Sequence, residues 1–184
     1  MSDWRLGKVE TLGDAALCRA VIDRFSTIRD RDFADDPFIN RSLAIEIRAL
    51  RRMETWCVFL VLTPWMLARI FLPERDPGLR VPIGWLAGQR ADAPYEVIGP
   101  CLELALLGGM QQAHINYDEI LGHYLVQPLV LTMARFDRAD AVFQAWNEVI
   151  ATRQKVMEEQ RRDCPWQREL SRREFFARFS GHRT

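Results

Sequence analysis

Five residues between positions 95 and 124 carry the side chains that metal or proton chemistry requires: Cys101, His114, Asp118, Glu119 and His123. Brought together by folding, they would offer thiolate, imidazole and carboxylate ligands to a cation, or polar groups to a small molecule. Their spacing is irregular, however, and none of the three histidines forms a short ligand pair with another histidine or a cysteine. The four cysteines, Cys18, Cys57, Cys101 and Cys164, are spread along the chain with no zinc-ligand or redox spacing. Cys18 and Cys57 sit in apolar patterns and read as small buried residues. His123 next to Tyr124, in a predicted strand, fits a hydrogen-bonded structural histidine. The enzymatic alternative is a cleft around Tyr95, His123 and Tyr124. No nucleophile elbow, phosphate-binding glycine loop or dinucleotide fingerprint is present, and Gly108-Gly109 lacks the further glycine and lysine that phosphate cradling needs. With no nucleophile, base and orienting group in view, the chain reads as not an enzyme, with no cofactor and no metal.

Two other segments suit binding rather than reaction. Val58 to Leu62 is an apolar run that meets Thr63-Pro64-Trp65-Met66, and a second apolar segment follows up to Pro73. Pro64 fixes its own φ, removes a backbone donor and holds Thr63 extended, so the chain must bend or reach an edge there. Trp65 and Met66 at such a corner either complete a core or offer an adaptable apolar contact. Near the end, Ser171-Arg172-Arg173-Glu174-Phe175-Phe176-Ala177-Arg178-Phe179 places Phe175 and Phe179 one helical turn apart. That segment either docks on the chain's own surface or forms an aromatic and arginine patch for a partner.

The elements that must position these residues are read from periodicity. Leu17, Val21, Phe25 and Ile28 predict a helix from Asp14 to about Arg31, with Asp14 as a cap. Alternation over residues 43–50 predicts a half-buried strand, Arg51-Arg52-Met53-Glu54 a polar break, and residues 55–62 a second strand paired with the first. Because that strand is apolar on both faces, it is expected near the sheet centre. Glu46 and Arg48 share one strand face. Residues 79–86 suggest a short edge strand containing Pro82, and 95–120 suggest a helix followed by a loop. A strand from His123 to Ala134 is expected to break at Pro128. Asp137 is placed to cap a long helix carrying Val142, Phe143, Trp146, Val149 and Ile150. The fold class that results is α+β: a small antiparallel sheet with an N-terminal helix and a long C-terminal helix packed on it.

A chain of 184 residues fits a single domain over 1–184, with 161–184 expected as a partly mobile C-terminal tail. It contains 25 basic and 25 acidic residues, so no global field recruits nucleic acid. Nearly all the basic residues are arginine; the lysines are Lys8 and Lys155. Met1-Ser2-Asp3-Trp4-Arg5 has no signal-peptide character. Thr63, Pro64 and Arg69 interrupt the longest apolar run, which argues against a membrane span. A cytoplasmic protein with reduced thiols is expected. The oligomeric state is not legible.

Three separated stretches resemble the HybE/HupJ/HoxT family of NiFe-hydrogenase assembly chaperones. Phe38-Ile39-Asn40-Arg41-Ser42-Leu43-Ala44-Ile45-Glu46 resembles the family's asparagine-led approach to its first strand. Leu60-Val61-Leu62-Thr63-Pro64-Trp65-Met66, followed by Leu72-Pro73, is similar to its Thr-Pro-Trp motif. Leu121-Gly122-His123-Tyr124 through Met133-Ala134-Arg135-Phe136-Asp137 resembles its late strand and final helix, and Ser171-Arg172-Arg173-Glu174-Phe175 its ending. Arg41 stands where the family has proline, residues 96–120 have no clear counterpart, and rubredoxin-like cysteine pairs are absent. The resemblance implies a non-catalytic cytoplasmic factor that binds a hydrogenase large or small subunit precursor during cofactor insertion or before export. It points to Asn40, Thr63, Pro64, Trp65 and Met66 as partner-binding residues. The competing reading is a small-molecule or metal-binding module built from the 95–124 region.

Overall fold

The computed structural model describes residues 3–9, 12–106 and 109–163, without the side chains of 160–163. Of the tail considered above, residues 161–163 belong to the described chain, and the rest from 164 on, with Cys164, His182 and Ser171 to Phe179, lies outside the described residues. The fold is α+β, with helix α1 (Asp14–Asp32), strands β1 (Glu46–Met53), β2 (Trp56–Leu62) and β3 (Leu67–Pro73), and a short helix α2 (Ala87–Arg90). Strands β4 (Cys101–Leu106), β5 (Gly109–Asp118) and β6 (Gly122–Val130) follow, and then helix α3 (Ala139–Asp163).

The six strands form one sheet in the order β1-β2-β3-β6-β5-β4, antiparallel throughout. It consists of two three-stranded meanders that meet along their last strands, β3 and β6. The centre is therefore the β3–β6 pair, and β2 lies one strand outside it. β2 is nonetheless buried over most of its length because both sheet faces are covered there. On one face Leu17, Val21, Phe25 and Ile28 of α1 pack with Phe59, Val61, Ile70, Tyr124 and Val126. Those four α1 residues are the predicted stripe, each contributing about 1.5–3 kcal/mol of burial. On the other face Trp4, Val81 and Trp85 pack with Trp56, Val58, Phe71, Leu104 and Leu125.

Several boundaries differ from expectation, each for a local reason. β1 begins and ends three residues later than the alternation suggested. A bulge between Arg48 and Arg51, with Ala49 at φ 56°, restarts the pairing, so Arg51 and Arg52 face Val58 and Cys57 inside the strand. Asp14 is the first helical residue after the N-cap Gly13, and its carboxylate meets Arg52 at 3.0 Å. Cys57 is buried as expected, whereas Cys18 is only partly covered. Residues 79–86 form no strand. The clearest correction is 95–120, which is the hairpin β4–β5 and not a helix with a loop. β6 runs through Pro128, because β5 pairs with β6 only as far as Val126. Beyond that point the missing N–H breaks no ladder bond, and a bulge against Leu67 and Ala68 absorbs the ring.

The chain divides into two compact units, 1–143 and 144–184. In the first, Val142 and Phe143 from the start of α3 are buried. The Arg48 side chain bonds Glu46 at 2.9 Å and Asp140 at 2.8 Å, and its guanidinium lies over the Phe143 ring. In the second unit the rest of α3 carries Val149, Val156 and Met157 exposed. No helix among the described residues is long and apolar enough to cross a membrane.

Candidate functional site

Pro64 and Trp65 connect β2 to β3, and the residues on either side close the turn. Thr63 N donates to Met66 O at 2.8 Å, and Met66 N donates to Thr63 Oγ1 at 3.1 Å. A threonine suits this position because its hydroxyl accepts that bond while its β-branch favours the extended backbone. Thr63, Pro64 and Met66 are buried, and Trp65 is only 7% exposed. Of the two roles open to Trp65, completing a core or offering an apolar contact, its burial fits the first. The indole stacks on Phe33 with centroids 4.5 Å apart, and meets Phe25 and Tyr95 at 6.3 and 6.2 Å. The end of α1 and residue 95, distant in sequence, thus close over the corner. The indole Nε1 is buried and has no hydrogen-bond partner among the described residues.

Asn40 fastens three segments together. Its backbone N–H donates to Pro64 O at 2.8 Å. Its Nδ2 donates to Met133 O at 2.9 Å and Phe136 O at 2.6 Å. Its Oδ1 accepts from Ser42 N and from Ser42 Oγ at 3.1 and 2.6 Å. Every donor and acceptor of the amide is used, a pattern that an aspartate or a leucine cannot reproduce. Arg41 sends its guanidinium to the carbonyls of Phe33 and Ala34 just past α1. A cation there satisfies carbonyls at the negative end of the helix. Asp36 Oδ1 accepts from Phe38 N at 2.8 Å.

This bonding brings Asn40 and the Thr63–Met66 corner together with the 133–136 loop. On top of the clamp is a residue that periodicity did not single out, Phe38, which is 86% exposed. It borders a shallow depression lined by Pro37, Ile39, Asn40, Arg41 and Ala134. A signal was present in the sequence: Phe38 stands between Pro37 and Ile39, outside every amphipathic stripe.

The 95–124 residues do not converge. Among the described residues, no group of three or more histidine, cysteine, aspartate or glutamate side chains could hold a metal ion. Asp118 is taken by Arg24, whose Nη2 lies 2.5 Å away, and by the N–H groups of Ile120 and Leu121. His114 Nδ1 lies 2.7 Å from Gly99 O. His123 Nδ1 accepts from Arg5 N at 2.8 Å, which leaves Nε2 protonated toward Trp85 O at 2.9 Å. Burial pushes the His123 pKa down. Cys101 is exposed on β4, in register with His114. The cleft reading fails by alternation. Tyr124 belongs to the α1-side core, while His123 packs on the other face with Trp4. Burial raises the pKa of both Tyr95 and Tyr124.

Neither the curated proteins nor the solved structures contain a match to this chain. The family model described as "[NiFe]-hydrogenase assembly, chaperone, HybE" matches residues 16–178, nearly the whole chain. That match covers all but the first two residues of α1, the Asn40 clamp, the Thr63–Met66 corner and every strand among the described residues, and the chain belongs to the HybE family of [NiFe]-hydrogenase assembly chaperones.

Proposed function

We propose that the chain is a non-catalytic cytoplasmic chaperone that binds a hydrogenase large or small subunit precursor through the Phe38 loop. In this reading Asn40, Thr63, Pro64, Trp65 and Met66 form the frame that holds the loop to its shape. The burial of Thr63, Pro64, Trp65 and Met66, and the fully bonded amide of Asn40, suit them to that role better than to direct contact. The observation that carries the reading is the contrast at one place: a fully displayed phenylalanine on a segment whose polar groups are tied down on every side. A rigid aromatic anchor loses little entropy on binding and suits a small transient interface.

Trp65→Ala is a poor test, because it also empties part of the core. Phe38→Ser leaves the core intact and is the informative variant. The wild-type chain is expected to retain at least one purified precursor in a pull-down, and Phe38→Ser to weaken that binding about tenfold or more with an unchanged melting temperature. Retention of neither precursor by the wild-type chain refutes the reading. Equal retention by Phe38→Ser refutes the role of the loop.

A further inference from the structure

The two edges of the sheet are finished in opposite ways. β1 carries Arg48, Arg51 and Arg52 and is interrupted by a bulge, and its Arg48 is tied to Asp140. Charge and irregularity of this kind keep a second strand from adding. β4 has neither. Cys101 to Leu106 pairs with β5 in one unbroken register, with no bulge, no proline and no basic residue.

The phase of the ladder identifies which backbone groups are open. Ile115 N donates to Pro100 O at 2.9 Å. With that register, Leu102, Leu104 and Leu106 exchange bonds with β5, and the N–H and C=O groups of Cys101, Glu103 and Ala105 point outward. No described residue bonds those outward groups. The side chains agree: Cys101, Glu103 and Ala105 are exposed, whereas Leu104 and Leu106 belong to the second core cluster and Leu102 lies half-buried at its margin. Three outward peptide groups in a row, beside an apolar margin, are what another extended backbone recognises.

The charge on the strand selects the occupant. A second copy pairing antiparallel so as to use all three outward residues sets Glu103 directly against its own counterpart, and like charges in that position repel. A foreign strand with Lys or Arg opposite Glu103 removes the conflict. Its neighbouring residues then fall on the Leu102 and Leu104 side and extend the core cluster. We infer that β4 is a strand-addition site for an extended segment of the client subunit, with a basic residue facing Glu103 and apolar residues flanking it. The inference rests on the chaperone reading above.

The test uses the full-length chain with purified large and small subunit precursors. Ala105→Pro removes one outward donor and leaves the β5 ladder untouched; Glu103→Arg reverses the selecting charge. The bound precursor is expected to protect the amides of Cys101, Glu103 and Ala105 from hydrogen exchange, and each variant to bind about tenfold more weakly, near 1.4 kcal/mol. Should Ala105→Pro misfold, Glu103→Arg carries the test alone. Precursor binding by the wild-type chain without protection at these amides, and with both variants unaffected, overturns the strand-addition site and leaves the chaperone reading standing. Absence of any precursor binding overturns both. A wild-type dimer that Ala105→Pro converts to monomer assigns the edge to a second copy and overturns the client assignment.

Discussion

Replacing Asn40 should separate the clamp from ordinary packing. Asn40→Ala removes four side-chain hydrogen bonds, two of them to Ser42 on the exposed loop, where water can substitute. The other two leave the Phe136 carbonyl without its donor and the Met133 carbonyl with only the Phe136 N–H, each lost bond costing about 1–1.5 kcal/mol at a partly covered site. The expected loss is thus ~2–3 kcal/mol. Asn40→Asp has nearly the same shape but sets a carboxylate against two carbonyl oxygens, so at pH 7 it should cost more than alanine. The sign of its pH dependence is fixed by the same geometry. Those carbonyls raise the introduced carboxyl's folded pKa above its ordinary value of about 3.9. Over that interval the folded state holds more protons than the unfolded one, and stability rises as pH falls. Urea unfolding followed by circular dichroism and tryptophan fluorescence between pH 7 and pH 5 measures both effects. The reasoning is refuted if Asn40→Ala lies within about 0.5 kcal/mol of wild type, or if Asn40→Asp is no worse than alanine and insensitive to pH.

Two further substitutions probe groups that folding has taken out of solvent. Asp118→Asn leaves the Arg24 guanidinium facing a neutral amide at a covered site; a loss of about 3 kcal/mol is expected in thermal or urea unfolding, and a neutral outcome would mean that solvent screens the pair. His123 is held neutral in the fold with its pKa depressed from the ordinary 6.5, so the unfolded chain takes up its proton first. Stability is therefore complete above pH 6.5 and declines as pH falls below it toward the folded value. His123→Gln should flatten that decline, and an unchanged profile would assign it to other groups.

The parts of the fold legible in the sequence are those with one dominant period. Leu17, Val21, Phe25 and Ile28 recur at helical spacing, and all four are in the core. The 95–120 segment defeated the same reasoning because Leu102 and Leu106 satisfy a helix as readily as a strand. What decides between them is the partner strand β5, which periodicity does not see. The corner at Thr63-Pro64-Trp65-Met66 was legible as a bend, but the burial of Trp65 depends on Phe33 and Tyr95, brought in from either side by tertiary packing. Asn40 was legible through family resemblance alone. Its partners at 133 and 136 lie more than ninety positions away.

The way the two meanders join has a consequence for synthesis on the ribosome. β1, β2 and β3 zip together through short hairpins as soon as they emerge, but β3 must wait for β6, more than fifty positions later. During that interval the nascent sheet ends in Leu67 to Pro73, an apolar strand with one bare flank. Non-local pairing of this kind forms late, and exposed flanks promote aggregation. Until its second half arrives, the newborn chain is expected to need that flank kept from other chains.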